Sequence, residues 1–90
     1  MKATLITDYN ALFITKGAVY PQTERIFITC PSCGQRNALP MPPFTFTWNA
    51  ETFTIGPASI SLPAPGCGWH GYMRNGEWIP AGDSKCTGAA

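Results

Sequence analysis

Charge is scarce in this chain. Only 12% of its 90 residues are Asp, Glu, Lys or Arg, about half the ~25% usual in soluble domains. Lys2, Lys16, Arg25, Arg36, Arg74 and Lys85 are scattered against five acidic residues, for a net charge of +1. Phosphate recognition needs several cations gathered on one face, and this distribution argues against a nucleic-acid partner. No apolar run approaches the ~20 residues of a membrane-spanning helix. Met1-Lys2-Ala3-Thr4-Leu5-Ile6-Thr7-Asp8 lacks the long apolar stretch and small-residue cleavage site of a secretory signal. The expected compartment is therefore the cytoplasm, with no membrane association. Repeats and heptads are absent, and there is a single histidine, His70.

What the chain does have is aromatic and turn-forming residues. It is 44% hydrophobic and 12% aromatic, with nine Pro and nine Gly. Proline and glycine at that density interrupt helices and favour short strands with tight turns, while Thr, Phe, Trp and Tyr suit strands. Ninety residues make one domain, short enough that a metal or a partner commonly supplements the core.

The first 29 residues read as N-terminal strands: Ala11-Leu12-Phe13-Ile14-Thr15, then Ala18-Val19-Tyr20 up to Pro21, then Arg25-Ile26-Phe27-Ile28-Thr29. Thr7 to Leu12 is compatible instead with one helical turn capped by Thr7 or Asp8. Leu39-Pro40-Met41-Pro42-Pro43 reads as an extended connector, too proline-rich to pair inside a sheet. Phe44, Phe46 and Trp48 alternate with Thr45 and Thr47, the period of a half-buried strand. Asn49-Ala50-Glu51 can turn, Phe53 and Ile55 resume the alternation, and Ser59-Ile60-Ser61-Leu62 repeats it before Pro63. Asn75-Gly76, between two β-type runs, is the strongest short hairpin signal. Residues 30–80 form the expected metal-binding sheet, and residues 81–90 a small, polar, mobile tail. The fold class expected is all-β: a zinc-ribbon-like antiparallel sheet of short hairpins around one structural metal site.

Cys30-Pro31-Ser32-Cys33-Gly34 is the sharpest motif. Two thiolates with two residues between them can both reach one ion, about 2.3 Å from each sulfur for zinc. Thioredoxin-like redox sites share the spacing but open a helix, and here Pro40 stops the chain before a helix of normal length can form. Cys67-Gly68-Trp69-His70-Gly71 repeats the arrangement of ligand, two residues, ligand, glycine. The expected cofactor is Zn2+, held by Cys30, Cys33, Cys67 and His70, with Cys86 as the alternative fourth ligand. If Cys86 closes the site, His70 becomes an uncommitted imidazole beside it. Trp69 and Trp78 either shield the metal and fill the core or anchor a partner.

From Cys30 to about Cys86 the order of motifs resembles a family of small phage and prophage proteins that often carry the label "ammonia monooxygenase". It is also similar to related peptidases encoded beside bacterial ubiquitin-like conjugation operons. The resemblance rests on Cys30-Pro31-Ser32-Cys33, Trp48, Thr54-Ile55-Gly56-Pro57 and His70-Gly71-Tyr72-Met73-Arg74-Asn75-Gly76. It implies a phage- or prophage-encoded protein of the host cytoplasm. It further implies a serine following the proline as nucleophile, with the histidine before the Asn-Gly hairpin as its base. In the matching register the family serine falls on Ala58, and serine appears one position later, at Ser59. One residue of displacement in a regular strand reverses the side chain's face.

The resulting expectation is a protein-binding module or inhibitor that does not cleave its partner. The alternative is a peptidase of the ubiquitin-like-processing type using Ser59 and His70. A nucleic-acid-binding zinc ribbon is the second alternative. Glu24, Glu51 and Glu77 are the only glutamates, and none sits in a metallopeptidase motif.

Overall fold

The computed structural model describes residues 1–49, 52–62 and 67–86. The strands form two four-stranded sheets. The first contains β1 (Thr4–Leu5), β2 (Ala18–Pro21), β3 (Arg25–Thr29) and β4 (Arg36–Pro40). The second contains β5 (Thr45–Asn49), β6 (Thr52–Ser61), β7 (His70–Arg74) and β8 (Glu77–Pro80). Strand order follows chain order in both sheets, and every pairing is antiparallel except that of β1 with β2. The all-β class is as expected. Among the described residues no helix is long and apolar enough to cross a membrane.

Two local expectations give way. Ala11 to Thr15 is not a strand, because Asp8 accepts the Asn10 N–H and caps a 3-10 turn at Tyr9–Phe13. That turn buries Leu12 and leaves Ile14 87% exposed, so a continuous apolar run does not alternate between two faces. Leu39 and Pro40 do not belong to a connector. They end β4 opposite Ile26 and Arg25, an edge position where proline's missing N–H is tolerated. The chain then passes from one sheet to the other through Met41 to Phe44.

The two sheets share one core. Val19, Ile26, Ile28, Cys30 and Leu39 from the first half pack with Phe53, Ile55, Ile60, Leu62, Cys67, Trp69, Met73 and Trp78 from the second. Trp69 and Trp78 are both 2% exposed and meet edge to face at 5.4 Å. The Trp78 Nε1–H donates to the Gly17 carbonyl at 2.9 Å. They are core residues, with the buried indole N–H satisfied as it must be.

Hairpin β5–β6 sets Trp48 opposite Phe53, as the alternation predicts. Of its expected turn, Ala50 and Glu51 lie outside the described residues. Hairpin β7–β8 turns at Asn75 (φ 50°) and Gly76 (φ 73°), the two left-handed residues that a tight hairpin requires. Of the expected tail, residues 87–90 lie outside the described residues. Residues 81–86 are bonded back to the sheet, Ala81 N–H to the His70 carbonyl and Lys85 N–H to the Gly68 carbonyl.

Gly71 is required by packing. A Cβ there would collide with the Ile79 carbonyl oxygen and stand 2.8 Å from Pro80 Cα and from the Trp69 ring. Backbone cannot yield as a side chain can, so Gly71→Ala is expected to destabilise the fold by about 1–3 kcal/mol, measured as a lower urea midpoint with unchanged slope.

Candidate functional site

The site begins with a break in the rhythm of β6. Phe53 and Ile55 face the core, and continued alternation would send residue 59 inward as well. Instead Ile60 and Leu62 are buried, so the inward phase has switched by one residue. The pairing shows where. Ile55 lies opposite Met73, but Ile60 lies opposite Gly71 and Ser61 opposite His70. Four β6 residues, 56 to 59, therefore face a single β7 residue, Tyr72. Such a bulge re-aims side chains. It turns Ser59 to the outer face, where His70 projects from β7 between the inward-facing Trp69 and Gly71.

Ser59 and His70 are thus brought together, although unbroken alternation would have parted them. His70 Nε2 lies 3.1 Å from Ser59 Oγ. The other ring nitrogen, Nδ1, lies 2.6 Å from Asp83 Oδ1. The imidazole holds Asp83's carboxyl below its ordinary pKa, chiefly through that hydrogen bond. The carboxylate therefore stays ionised at neutral pH and can only accept. This assigns the Nδ1 proton to the bond with Asp83 and leaves the Nε2 lone pair facing the Ser59 hydroxyl. Serine, histidine and aspartate in this order have the arrangement that a nucleophile, a base and a group orienting the base require.

The backbone of His70 is held as closely as its ring. Its N–H donates to Ser84 Oγ at 3.0 Å, and its carbonyl accepts from Ala81 N–H at 2.8 Å. Ser84 N–H closes a turn onto the Ala81 carbonyl at 3.1 Å. The loop after β8 therefore grips His70 on both sides of its Cα and presents Asp83 to its ring.

The second constellation is sulfur. Sγ atoms of Cys30, Cys33, Cys67 and Cys86 all lie within 4.8 Å of one another. Cys30 to Cys67 is 3.3 Å, Cys33 to Cys67 is 3.6 Å and Cys30 to Cys86 is 3.7 Å. A tetrahedral ion with ~2.3 Å bonds to sulfur sets its ligands about 3.8 Å apart, so the cluster could hold a metal ion. No disulfide joins the four. In the first loop the Ser32 N–H donates to the Cys30 sulfur at 3.4 Å. Gly34 and Gly68 supply positive φ beside Cys33 and Cys67. Burial pushes the Cys30 and Cys67 thiols above their ordinary pKa. A bound cation reverses that tendency by deprotonating its thiol ligands, which makes a buried four-sulfur cluster a fitting metal site.

The structure places the expected residues as follows. Cys30, Cys33 and Cys67 come together with Cys86, the alternative fourth ligand. His70, the preferred fourth ligand at the sequence level, points elsewhere, with one nitrogen on Asp83 and the other toward Ser59. Asp83 was not anticipated. The available signal was its spacing, since Asp83-Ser84-Lys85-Cys86 mirrors Cys67-Gly68-Trp69-His70. Both the base and the carboxylate stand three residues from a cysteine of the cluster.

Metal analysis distinguishes the fourth ligand. Cys86→Ser should lose most of its bound metal on dialysis, and His70→Ala should retain it. Chelation or Cys33→Ser should broaden or abolish the thermal unfolding transition, because the ligands gather only in the folded chain.

Comparison with known proteins adds a family. No curated protein and no solved structure shows a significant match. The profile of a family described as bacterial ubiquitination-like system serine protease (BubE) matches residues 6–81, which include Ser59, His70 and three of the four cysteines. Asp83 and Cys86 lie just beyond the matched span. With most of its length covered, the chain belongs to the BubE family of bacterial ubiquitination-like system serine proteases.

Proposed function

We propose that this protein is a serine peptidase of the ubiquitin-like-processing type, in which Ser59 is the nucleophile, His70 the general base and Asp83 the orienting carboxylate. The observation that carries the reading is the continuous chain of contacts Ser59 Oγ–Nε2 and Nδ1–Asp83 at 3.1 and 2.6 Å. Family membership supports it. The reason for expecting a non-catalytic binding module was that Ser59 would face away from His70 in a regular strand. The bulge in β6 removes that reason.

The chemistry follows from the proton positions. As the Ser59 oxygen attacks a peptide carbonyl carbon, its proton passes to His70 Nε2. Asp83 stabilises the imidazolium formed and keeps its Nδ1 proton in place. The same Nε2 proton is then given to the leaving amine as the C–N bond breaks, leaving an ester on Ser59. Water, deprotonated by the neutral imidazole, hydrolyses that ester and restores the hydroxyl. The ion we propose for the four cysteines is zinc. Four protein sulfurs leave no position for water, so its role is structural: it fixes the chain segments that carry His70 and Asp83.

Covalent labelling tests the nucleophile without knowledge of the substrate. A fluorophosphonate should add once per chain, at Ser59, as read by intact mass and peptide mapping. Ser59→Ala and His70→Ala should abolish labelling. Asp83→Asn should slow it about a hundredfold, within the ~10²–10⁴ range for acid–base groups. Labelling at another residue, or undiminished labelling in His70→Ala, would overturn the assignment.

A further inference from the structure

Beside Ser59, β6 has a sheet edge that no strand covers among the described residues. On one side β6 pairs with β7. On the other it pairs with β5 only from Thr52 to Gly56, where Thr45 is the last partner. Before Thr45 the chain turns away, closing Phe44 N–H onto the Pro40 carbonyl at 3.1 Å. Residues 57–61 of β6 therefore have no strand on the β5 side among the described residues.

The ladder fixes which backbone groups point there. Leu62 N–H bonds to the Trp69 carbonyl at 2.8 Å, so Leu62 and, two residues earlier, Ile60 direct their N–H and C=O toward β7. His70, opposite Ser61, directs its own N–H and C=O away from β6, to Ser84 and Ala81. Ser61 and His70 are thus a non-hydrogen-bonded pair. By alternation the N–H and C=O of Ser61, and of Ser59 before it, turn to the open edge. Ser61 is exposed. No atom of the described residues lies within 4 Å of where a Gly56 Cβ would stand, so the sheet face beside the start of this edge is open.

We propose that this edge is the substrate-binding site: an extended peptide segment adds to β6 at Ser59–Ser61 as a fifth strand, in the lane that β5 leaves vacant. Main-chain hydrogen bonds from Ser61 hold the segment about 4.8 Å from β6, which lays its peptide bonds alongside the Ser59 hydroxyl. The ligand class is an unfolded, extended polypeptide, such as the flexible tail of a protein, and not a folded surface or a small ester. This deepens the peptidase reading and rests on it. Because recognition is through the main chain, it tolerates many side-chain sequences.

The test uses proline as a probe of one hydrogen bond. Ser61→Pro removes an N–H that faces the open edge and takes none from the ladder with β7, and Ser61→Ala keeps that N–H. The metal-loaded full chain and both variants are assayed on a library of internally quenched peptides and on p-nitrophenyl acetate, which needs only the activated serine. Ser61→Pro should reduce kcat/KM for the cleaved peptides at least tenfold more than it reduces ester hydrolysis, mainly through KM. Ser61→Ala should recover the difference. Equal losses on peptides and ester, or equal losses in the two variants, would overturn the edge. So would a wild-type protein whose Ser59 takes the fluorophosphonate yet cleaves no library peptide; in that case the activated serine stands and the edge alone fails. Absence of Ser59 labelling would instead remove the peptidase reading beneath it.

Discussion

Four sulfurs meet where the two halves of the chain come together, and His70 and Asp83 are measured out from them. Cys30 and Cys33 belong to the loop between β3 and β4 of the first sheet, Cys67 precedes β7, and Cys86 follows β8. Cys30 and Cys67 are themselves part of the shared core. Three residues after Cys67 comes His70, and three residues before Cys86 comes Asp83. In a chain of this length a strand end and a loop end would ordinarily fray. Here both ends converge on one point: the Ala81 and Lys85 N–H groups donate to the His70 and Gly68 carbonyls, and the Ser84 hydroxyl accepts from the His70 N–H, completing the clamp. The 2.6 Å contact between imidazole and carboxylate is the local consequence of that convergence.

Ser59 reaches the same place by a different constraint, the demand that the core be filled. Ile60 and Leu62 are too apolar to leave outside, and the only way to bury both after burying Phe53 and Ile55 is to shift the phase of the strand. The bulge that does so places a serine on the outer face next to His70. Hydrophobic packing of the neighbours, not any preference of the serine itself, thereby sets the position of Ser59. On its other side β6 meets β5 only from Thr45, opposite Gly56, so the edge beside Ser59 is unpaired among the described residues.

Much of this was legible in the residues. The strands at Ala18–Pro21 and Arg25–Thr29, the aromatic hairpin around Trp48 and Phe53, and the Asn75-Gly76 turn announce themselves through alternation and turn chemistry. So does the Cys30–Cys33 pair, because ligand spacing is local. The resemblance to peptidases of ubiquitin-like operons was also readable from the order of short motifs, and the family match agrees with it. Three features were not legible, each because it depends on contacts distant in sequence. The bulge follows from which isoleucine the core accepts. The strand at Arg36–Pro40 follows from pairing with β3, which overrides the reading of Pro40 as a breaker. The approach of Asp83 to His70 follows from how the last loop folds back; Cys86 was readable as an alternative ligand, but the three-residue spacing of Asp83 from it shows a role only once the loop's place beside β7 is known.

The sulfur cluster stands where it would hold His70 and Asp83 together. The strongly deshielded Nδ1 proton of a histidine donating to a carboxylate reports that contact directly by NMR. It should be present in the metal-loaded protein, persist in Ser59→Ala and vanish in Asp83→Asn. The decisive sample is Cys86→Ser with zinc in excess, which keeps three sulfurs and a dispersed set of core methyl signals but releases the segment behind Asp83. Loss of the Nδ1 resonance with the core signals retained is the result this account predicts. An undiminished resonance in that variant would mean that the loop positions Asp83 without the cluster, and would contradict it.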